Sequence, residues 1–268
     1  MEALRNRVRE LLAAGTVQAV LGYAAGSEPN RTRPCFVRTP AEADALIWNE
    51  YCRQNLATYL QKPEVRALGK LALVARRSTL RALLQLAAES QLEDGRVVAL
   101  FIADDGAVTE LPTLAAIEEL VAQVPRGLSD ADRQELERIA ALPLDERQAF
   151  WAGEFARCIK CYACRAACPL CYCARCITEA NQPQWIPVSS DPLGNLEWNV
   201  VRAMHLAGRC VDCGSCSDAC PEGIRLDLLN HVLAEEARTQ FGAEPGYSVR
   251  KDYALASFKP DDKQEYIR

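Results

Sequence analysis

Eleven of the 13 cysteines in this 268-residue chain fall between positions 158 and 220, and they constrain the fold more than any other feature. Eight of them form two runs of identical spacing, C-x2-C-x2-C-x3-C, each closed by a proline. The runs are Cys158, Cys161, Cys164 and Cys168 before Pro169, and Cys210, Cys213, Cys216 and Cys220 before Pro221. Thiols this dense in one short segment predict a metal-binding region.

The spacing matches the run that bacterial ferredoxins use to bind two cubane 4Fe–4S clusters. Three cysteines on a tight loop bind three irons of one cluster, and in this pattern the fourth cysteine of each run binds the other cluster. We therefore predict two 4Fe–4S clusters with crosswise ligands. One is assigned to Cys158, Cys161, Cys164 and Cys220, and the other to Cys210, Cys213, Cys216 and Cys168.

Structural zinc and disulfides are the competing interpretations of these thiols. Zinc sites usually take two C-x2-C pairs, which three cysteines at successive intervals of three do not provide. Disulfide frameworks belong to short secreted chains. The N-terminus, MEALRNRVRELLAAG, is typical of an amphipathic helix rather than a signal peptide, and no apolar run is long enough for a membrane span. We expect a cytoplasmic protein without disulfides.

Five further cysteines lie outside the two runs, and three of them follow the first run directly as Cys171, Cys173 and Cys176. The hypothesis is a third 4Fe–4S cluster, with Cys52 as its fourth ligand and Cys35 as the alternative. A zinc ion, or a triplet that is partly unused, are the other interpretations. Cys52 would otherwise be a small core residue, since cysteine is often buried.

The fold class predicted from the hydrophobic pattern is an α/β N-terminal domain followed by a mainly α ferredoxin-type dicluster domain. Strands at Lys70–Val74 and Arg96–Ile102 alternate with predicted helices, among them Ala41–Leu60 and a helix Thr79–Ser90 capped by Ser78. The predicted boundaries are residues 1–125 for the α/β domain, 126–150 for a helical connector, 151–241 for the dicluster domain and 242–268 for a C-terminal tail.

Other candidates carry weaker signals. His205 and His231 are lone histidines on helical stretches, where surface or core positions are the simpler interpretation. Arg76 and Arg77 follow a strand and precede a helix, where a nucleotide or anion can bind, but a solvated loop is the simpler interpretation. Trp185 and Trp198 are expected to cover the cluster region. The formal charge of −5 without a basic stripe argues against nucleic acid as a partner.

The segments CIKCYACRAACPLCYCARC (158–176) and AGRCVDCGSCSDACPEGI (207–224) together resemble a known family. They are similar to the beta subunits of formate dehydrogenases and deazaflavin-reducing hydrogenases, in the form found with heterodisulfide reductase-like complexes. The resemblance extends to residues 48–60 and 70–102. It implies an electron-transferring subunit of a larger oxidoreductase, with other subunits, among them a flavoprotein, as partners.

Family members also carry a flavin (FAD) in some N-terminal domains, which implies an alternative function. In that alternative the chain itself oxidises or reduces a deazaflavin or nicotinamide cofactor. Two departures argue against it. Where the family commonly has Gly-Cys-Asp after the first strand, this chain has Arg76-Arg77-Ser78-Thr79, and where further cysteines often follow the second strand it has Ala103-Asp104-Asp105-Gly106. A stand-alone ferredoxin is the third hypothesis, against which the large N-terminal domain argues.

Overall fold

The computed structural model describes residues 1–103, 105–123, 128–177, 182–184 and 186–250. Trp185 and the end of the predicted tail, residues 251–268, lie outside these ranges. The described helices include no apolar segment of the length that a bilayer crossing needs. The helices are α1 (Glu2–Ala13), α2 (Pro63–Arg66), α3 (Arg77–Ala88), α4 (Leu114–Ala122), α5 (Asp130–Ala140), α6 (Leu144–Ala156), α7 (Ala163–Ala166), α8 (Pro192–Leu206), α9 (Ser215–Asp218) and α10 (Leu226–Phe241).

A five-stranded sheet forms the core of residues 1–123, which we call the sheet unit. Its strands are β1 (Ala19–Ala25), β2 (Thr32–Val37), β3 (Leu71–Ala75), β4 (Val97–Ile102) and β5 (Val108–Leu111), in the order β2-β1-β3-β4-β5. The three central strands run parallel, and the two edge strands pair antiparallel to them. Every residue of β3 and β4 is buried, as expected for parallel strands covered on both faces.

The sheet therefore confirms the α/β prediction for the N-terminal part and both predicted parallel strands. The helix predicted over Ala41–Leu60 is wrong. Only short 3-10 turns form there, at Pro40–Ala45 and Leu56–Tyr59. The predicted cap is nevertheless present, because Thr39 and Glu42 form a capping box.

Local hydrogen bonds explain why the segment does not continue as a helix. The Asn49 side chain accepts from the Tyr51 backbone N–H, and the Asn55 side chain accepts from that of Ala57. Asparagine side chains that bond nearby backbone in this way compete with helix formation. In addition, the Ile47 N–H donates to the Tyr23 carbonyl on β1, which ties the segment to the sheet.

Three further expectations are corrected. Helix α3 begins at Arg77 with Arg76 at its N-cap, so Ser78 lies inside the helix and does not cap it. The three prolines and the glycine of residues 181–197 predict an irregular segment, but helix α8 begins at Pro192 inside it. Proline at the first helical position is favourable, because its missing N–H would have no partner there. Strand β5 has no counterpart among the predicted elements, and helix α6 begins inside the predicted helical connector and extends beyond it to Ala156.

The described residues after 128 contain helices and no strands, and they pack against the sheet unit. Leu170, Leu206 and Val211 belong to the same buried apolar cluster as the strands. Polar contacts reinforce this packing. The Asn55 N–H donates to the Ser215 hydroxyl at 2.9 Å, and the Thr58 hydroxyl donates to the Ala166 carbonyl at 2.9 Å.

The carboxylate of Glu89, at the end of α3, joins the sheet unit to the cysteine-rich region. Arg209 donates to it through Nε at 2.8 Å and also through Nη2, and the Tyr172 hydroxyl donates at 2.6 Å. The Glu89 side chain is only 4% exposed. Burial opposes its ionisation, but the hydrogen bonds from Arg209, Tyr172 and Gln85 outweigh that effect and lower the pKa of the Glu89 carboxyl.

We predict that Glu89→Gln lowers the free energy of unfolding by about 2 kcal/mol. This is less than a fully buried ion pair loses, because Arg209 is 22% exposed. Because the folded pKa lies below the ordinary glutamate value of about 4.3, this stabilisation is complete above that pH and is lost as the pH falls through the folded pKa. Anaerobic denaturant unfolding of the wild type and the variant at several pH values measures the difference.

The matched control is Glu135→Gln, which removes a carboxylate from the exposed pair with Arg138 on α5. We expect no measurable change in unfolding, since exposed pairs contribute little. Equal effects of the two substitutions would show that the Glu89 contact does not hold the two parts together.

Candidate metal centre

The two cysteine runs fold into loops with the same backbone course. In each loop the residues on both sides of the second cysteine have left-handed φ values: Lys160 (53°) and Tyr162 (59°) around Cys161, and Asp212 (52°) and Gly214 (71°) around Cys213. A single-turn helix follows each loop, α7 in the first run and α9 in the second. The equal spacing in sequence thus corresponds to equal geometry.

The hydrogen bonds that close the two loops are also equivalent. The Cys168 N–H donates to the Arg165 carbonyl at 3.2 Å, and the Cys220 N–H donates to the Ser217 carbonyl at 3.0 Å. Left-handed φ values cost free energy in residues with a side chain and persist only where the surroundings enforce them. Three such residues in two short loops indicate that the surrounding structure holds both loops in one defined conformation.

A cavity of about 270 Å³ is lined by three cysteines of the second run together with one cysteine of the first. Its wall contains Cys168, Cys210, Cys213 and Cys216. These four are the set that the sequence assigned to one cluster. The first-run cysteine in this cavity is the last of its run.

Electrostatic interactions between the thiols indicate the same arrangement, in which the last cysteine of each run lies among the thiols of the other run. Burial raises the pKa of Cys216 to about 12, Arg202 lowers it, and the neighbouring Cys213 and Cys168 raise it further. Burial also raises the pKa of Cys164, again with Arg202 lowering it and with Cys158 and Cys220 raising it. Cys168 therefore lies among second-run thiols, and Cys220 lies among first-run thiols.

Hydrogen-bond donors point at two of the ligand sulfurs. The Lys160 backbone N–H lies 3.4 Å from Cys158 Sγ, and the Asn230 side-chain amide lies 3.6 Å from Cys216 Sγ. Donors to sulfur are among the features that set iron–sulfur reduction potentials. The site therefore supplies thiols, donors and a cavity, which fits a cluster.

Arg202 on α8 is buried among the cysteines and was not singled out from the sequence. Its Nη2 donates to the Cys164 carbonyl at 3.1 Å. Burial disfavours its charged form, but the thiolates of Cys168, Cys171 and Cys164 outweigh burial and raise the Arg202 pKa. Because nothing in its helix pattern distinguishes this arginine from a surface residue, only the packing of α8 reveals it.

The extra cysteines do not gather in one place. Cys52 is buried in the sheet unit, with its sulfur 3.4 Å from the Asn49 N–H and 3.9 Å from the Ile47 carbonyl oxygen. Cys35 lies on the edge strand β2, paired with Gly22 on β1. The cysteines of the triplet line another cavity of about 320 Å³ beside α8.

Two other predicted positions have structural contacts. The Arg76 guanidinium lies over the Trp48 ring, 5.0 Å from its centroid, and donates to the Asn49 carbonyl at 2.9 Å. Trp198 is buried and meets the Tyr162 ring edge-on at 5.0 Å, beside the first loop, as expected for a cover of the cluster region. In the described part of the chain, no three cysteine, histidine or carboxylate side chains are placed to bind a single metal ion together.

Comparison with known proteins agrees with this geometry. The family model of the 4Fe-4S dicluster domain matches residues 157–225. This part of the chain is a 4Fe–4S dicluster domain. The match assigns 4Fe–4S binding to this part of the chain, and its limits enclose both cysteine loops.

Two curated relatives extend the similarity. The beta subunit of the F420-dependent formate dehydrogenase of Methanocaldococcus jannaschii is 36% identical over 96 residues, covering 36% of this chain and 25% of the relative. The beta subunit of F420-dependent formate dehydrogenase 1 of Methanococcus maripaludis is 34% identical over 110 residues, covering 41% and 28%. Part of the chain is thus similar to these two beta subunits, and the chain spans about a quarter of the length of the curated relatives it matches.

We predict that Gly214→Ala destabilises the dicluster domain by about 1–2 kcal/mol, the cost of a left-handed conformation for a residue with a Cβ. No atom lies within 4 Å of the added Cβ, so the effect comes from the backbone alone. The control is Gly153→Ala in α6, where the added Cβ is equally open and φ is not left-handed. There we expect stabilisation by about 0.5–1 kcal/mol. Thermal unfolding of the anaerobic protein distinguishes the two, and a stabilised Gly214→Ala would contradict the prediction.

We also predict that Asn230→Leu lowers the reduction potential of one cluster, because the amide stabilises the more negative reduced state. A hydrogen bond worth about 1 kcal/mol corresponds to at most about 40 mV for one electron. Redox titration followed by electron paramagnetic resonance (EPR) measures the shift. Gln240→Leu on the exposed end of the same helix is the control and should leave both potentials unchanged.

Proposed function

We propose that the chain relays single electrons through two 4Fe–4S clusters as a subunit of a larger cytoplasmic oxidoreductase. Its partner is a flavoprotein or metalloenzyme on one side and an acceptor on the other. The observation that carries the proposal is the shared cavity of Cys168, Cys210, Cys213 and Cys216. A heterodisulfide reductase-like enzyme as part of that complex stays a prediction from the resemblance.

The crosswise arrangement supports a relay because it forces the two sites together. Each loop contributes three ligands to its own site and one ligand to the other, and α7 packs directly on α9. When bound, 4Fe–4S clusters accept and release one electron at a time. Two sites fixed side by side could then pass on, one at a time, the electrons that the flavin of the proposed partner receives from a two-electron donor.

The exposure of the ligands differs between the two sites. Cys161 is exposed, whereas Cys216 is buried and the other cysteines of its cavity are half-buried. Electron transfer between proteins requires a short distance to the partner. We therefore propose that a partner approaches the site of the first run at Cys161, and that the site of the second run is the inner one.

The ligand exchange is tested by iron counts in a background that retains one cluster. Cys213→Ala removes the inner cluster and leaves about four iron atoms in the other dicluster site. Adding Cys220→Ala to this background should remove those four, whereas adding Cys168→Ala should leave them in place. Iron and acid-labile sulfide in each double variant are compared with those in the single variant, so any iron bound elsewhere in the chain cancels in the difference.

The reciprocal background, Cys161→Ala, is the matched control. In this background Cys168→Ala should remove the roughly four iron atoms of the inner cluster, and Cys220→Ala should leave them in place. The reverse result in both backgrounds would mean that each run binds its own cluster. The electron-transfer function itself would be overturned by a wild-type protein that does not contain the eight or so iron atoms of two clusters and shows no EPR signal on reduction.

A further inference from the structure

The cavity of about 320 Å³ beside α8 contains four side chains that bind iron in proteins. Three are the thiols of the triplet, and the fourth is the imidazole of His205 in the last turn of the helix. The cavity is larger than the one of about 270 Å³ that holds the ligand set of the inner cluster. Space for a second group of that size is therefore present.

The fourth ligand suggested by the sequence lies elsewhere. The Cys52 sulfur is held by the backbone N–H of Asn49, and Cys35 belongs to the edge strand β2 of the sheet. Neither residue lines the cavity. Among the described residues that do, His205 is the remaining side chain that metals commonly accept.

The charge of the wall suits an anionic group. Four guanidinium groups line the cavity, from Arg165, Arg175, Arg202 and Arg209. Arg209 is paired with Glu89, and Arg202 is buried. A cubane bound by three thiolates carries net negative charge in its usual redox states, and buried negative charge requires such compensation. Trp198 and Leu206 supply an apolar side that limits water.

We propose that Cys171, Cys173, Cys176 and His205 bind a third iron–sulfur cluster. The proposal rests on the proposed electron-transfer function and adds a centre to it. Histidine replaces cysteine on iron in Rieske centres and raises their potential, because imidazole is neutral. A cubane presents a separate iron at each corner, so its ligands line a cavity and do not meet at one point.

The position of this centre continues the electron path. Leu170, Arg202 and Leu206 line both this cavity and that of the inner cluster. The third cluster therefore lies next to the inner cluster, and these three side chains form the wall that the two cavities share. Cys173 and His205 are exposed, so the new centre gives the path a second opening to solvent.

The test is performed on the anaerobically purified full chain, with iron and sulfide counts and pulsed EPR after 15N labelling of histidine. The wild type should contain about twelve iron atoms and show one cluster coupled to a histidine nitrogen. His205→Ala should lose between one and four of these twelve iron atoms and keep the eight of the two dicluster sites. His205→Cys should retain about twelve, lose the nitrogen coupling and show a lower potential for that cluster.

Cys52→Ala is the matched control and should change neither iron content nor nitrogen coupling. Loss of four iron atoms in Cys52→Ala but not in His205→Ala would overturn the proposal, as would one zinc ion per chain in place of the third cluster. A wild type with about eight iron atoms and two reducible clusters would overturn it while leaving the relay intact. If His205→Ala loses all iron because it does not fold, the nitrogen coupling in the wild type and its absence in His205→Cys decide.

Discussion

The exchange of one cysteine between the two loops is the constraint on which the rest of the cysteine-rich region depends. Cys168 can reach the second-run thiols only if α7 and α9 lie side by side, and Cys220 imposes the same condition from the other loop. The left-handed residues around Cys161 and Cys213 turn each loop tightly enough to satisfy both. Helices α8 and α10 then pack around a geometry that is already fixed.

The sheet unit stabilises this region without supplying a ligand to either dicluster site. The Ser215 hydroxyl, directly after Gly214, accepts from the Asn55 backbone, and the carbonyl of Ala166 in α7 accepts from Thr58. Both donors come from the irregular segment that replaces the predicted helix. A regular helix there would have used the Asn55 N–H in its own hydrogen bonds, so the irregular course leaves that donor available to the second loop.

The sequence predicted the chemistry of the site better than its surroundings. Cysteine spacing is a local property, and the 4Fe–4S dicluster domain that it predicted is confirmed by the family match to residues 157–225. The central strands were also predictable, because parallel strands buried on both faces read as continuous apolar runs such as β3 and β4. Proline misled the prediction at Pro192, where it begins a helix instead of interrupting one.

What the sequence did not reveal depends on contacts between distant elements. Arg202, Asn230 and Glu89 look like ordinary helix residues, and their roles arise only when α8, α10 and α3 pack near the cysteines. His205 was open to a surface interpretation for the same reason. Ligands spaced regularly along the chain can be found from their pattern, whereas a ligand contributed by a neighbouring helix cannot.

Arg202 shows how the separate cysteine groups act on one another. Its guanidinium bonds the backbone of Cys164 and lines the cavities of both the inner cluster and the triplet. A fixed positive charge in a buried site stabilises added negative charge more strongly than it would in water. It therefore favours reduction at every neighbouring site. Because Arg202 bonds the backbone of Cys164 in the first run and also lines the cavity of Cys168 and Cys216, its charge acts on both dicluster sites at once.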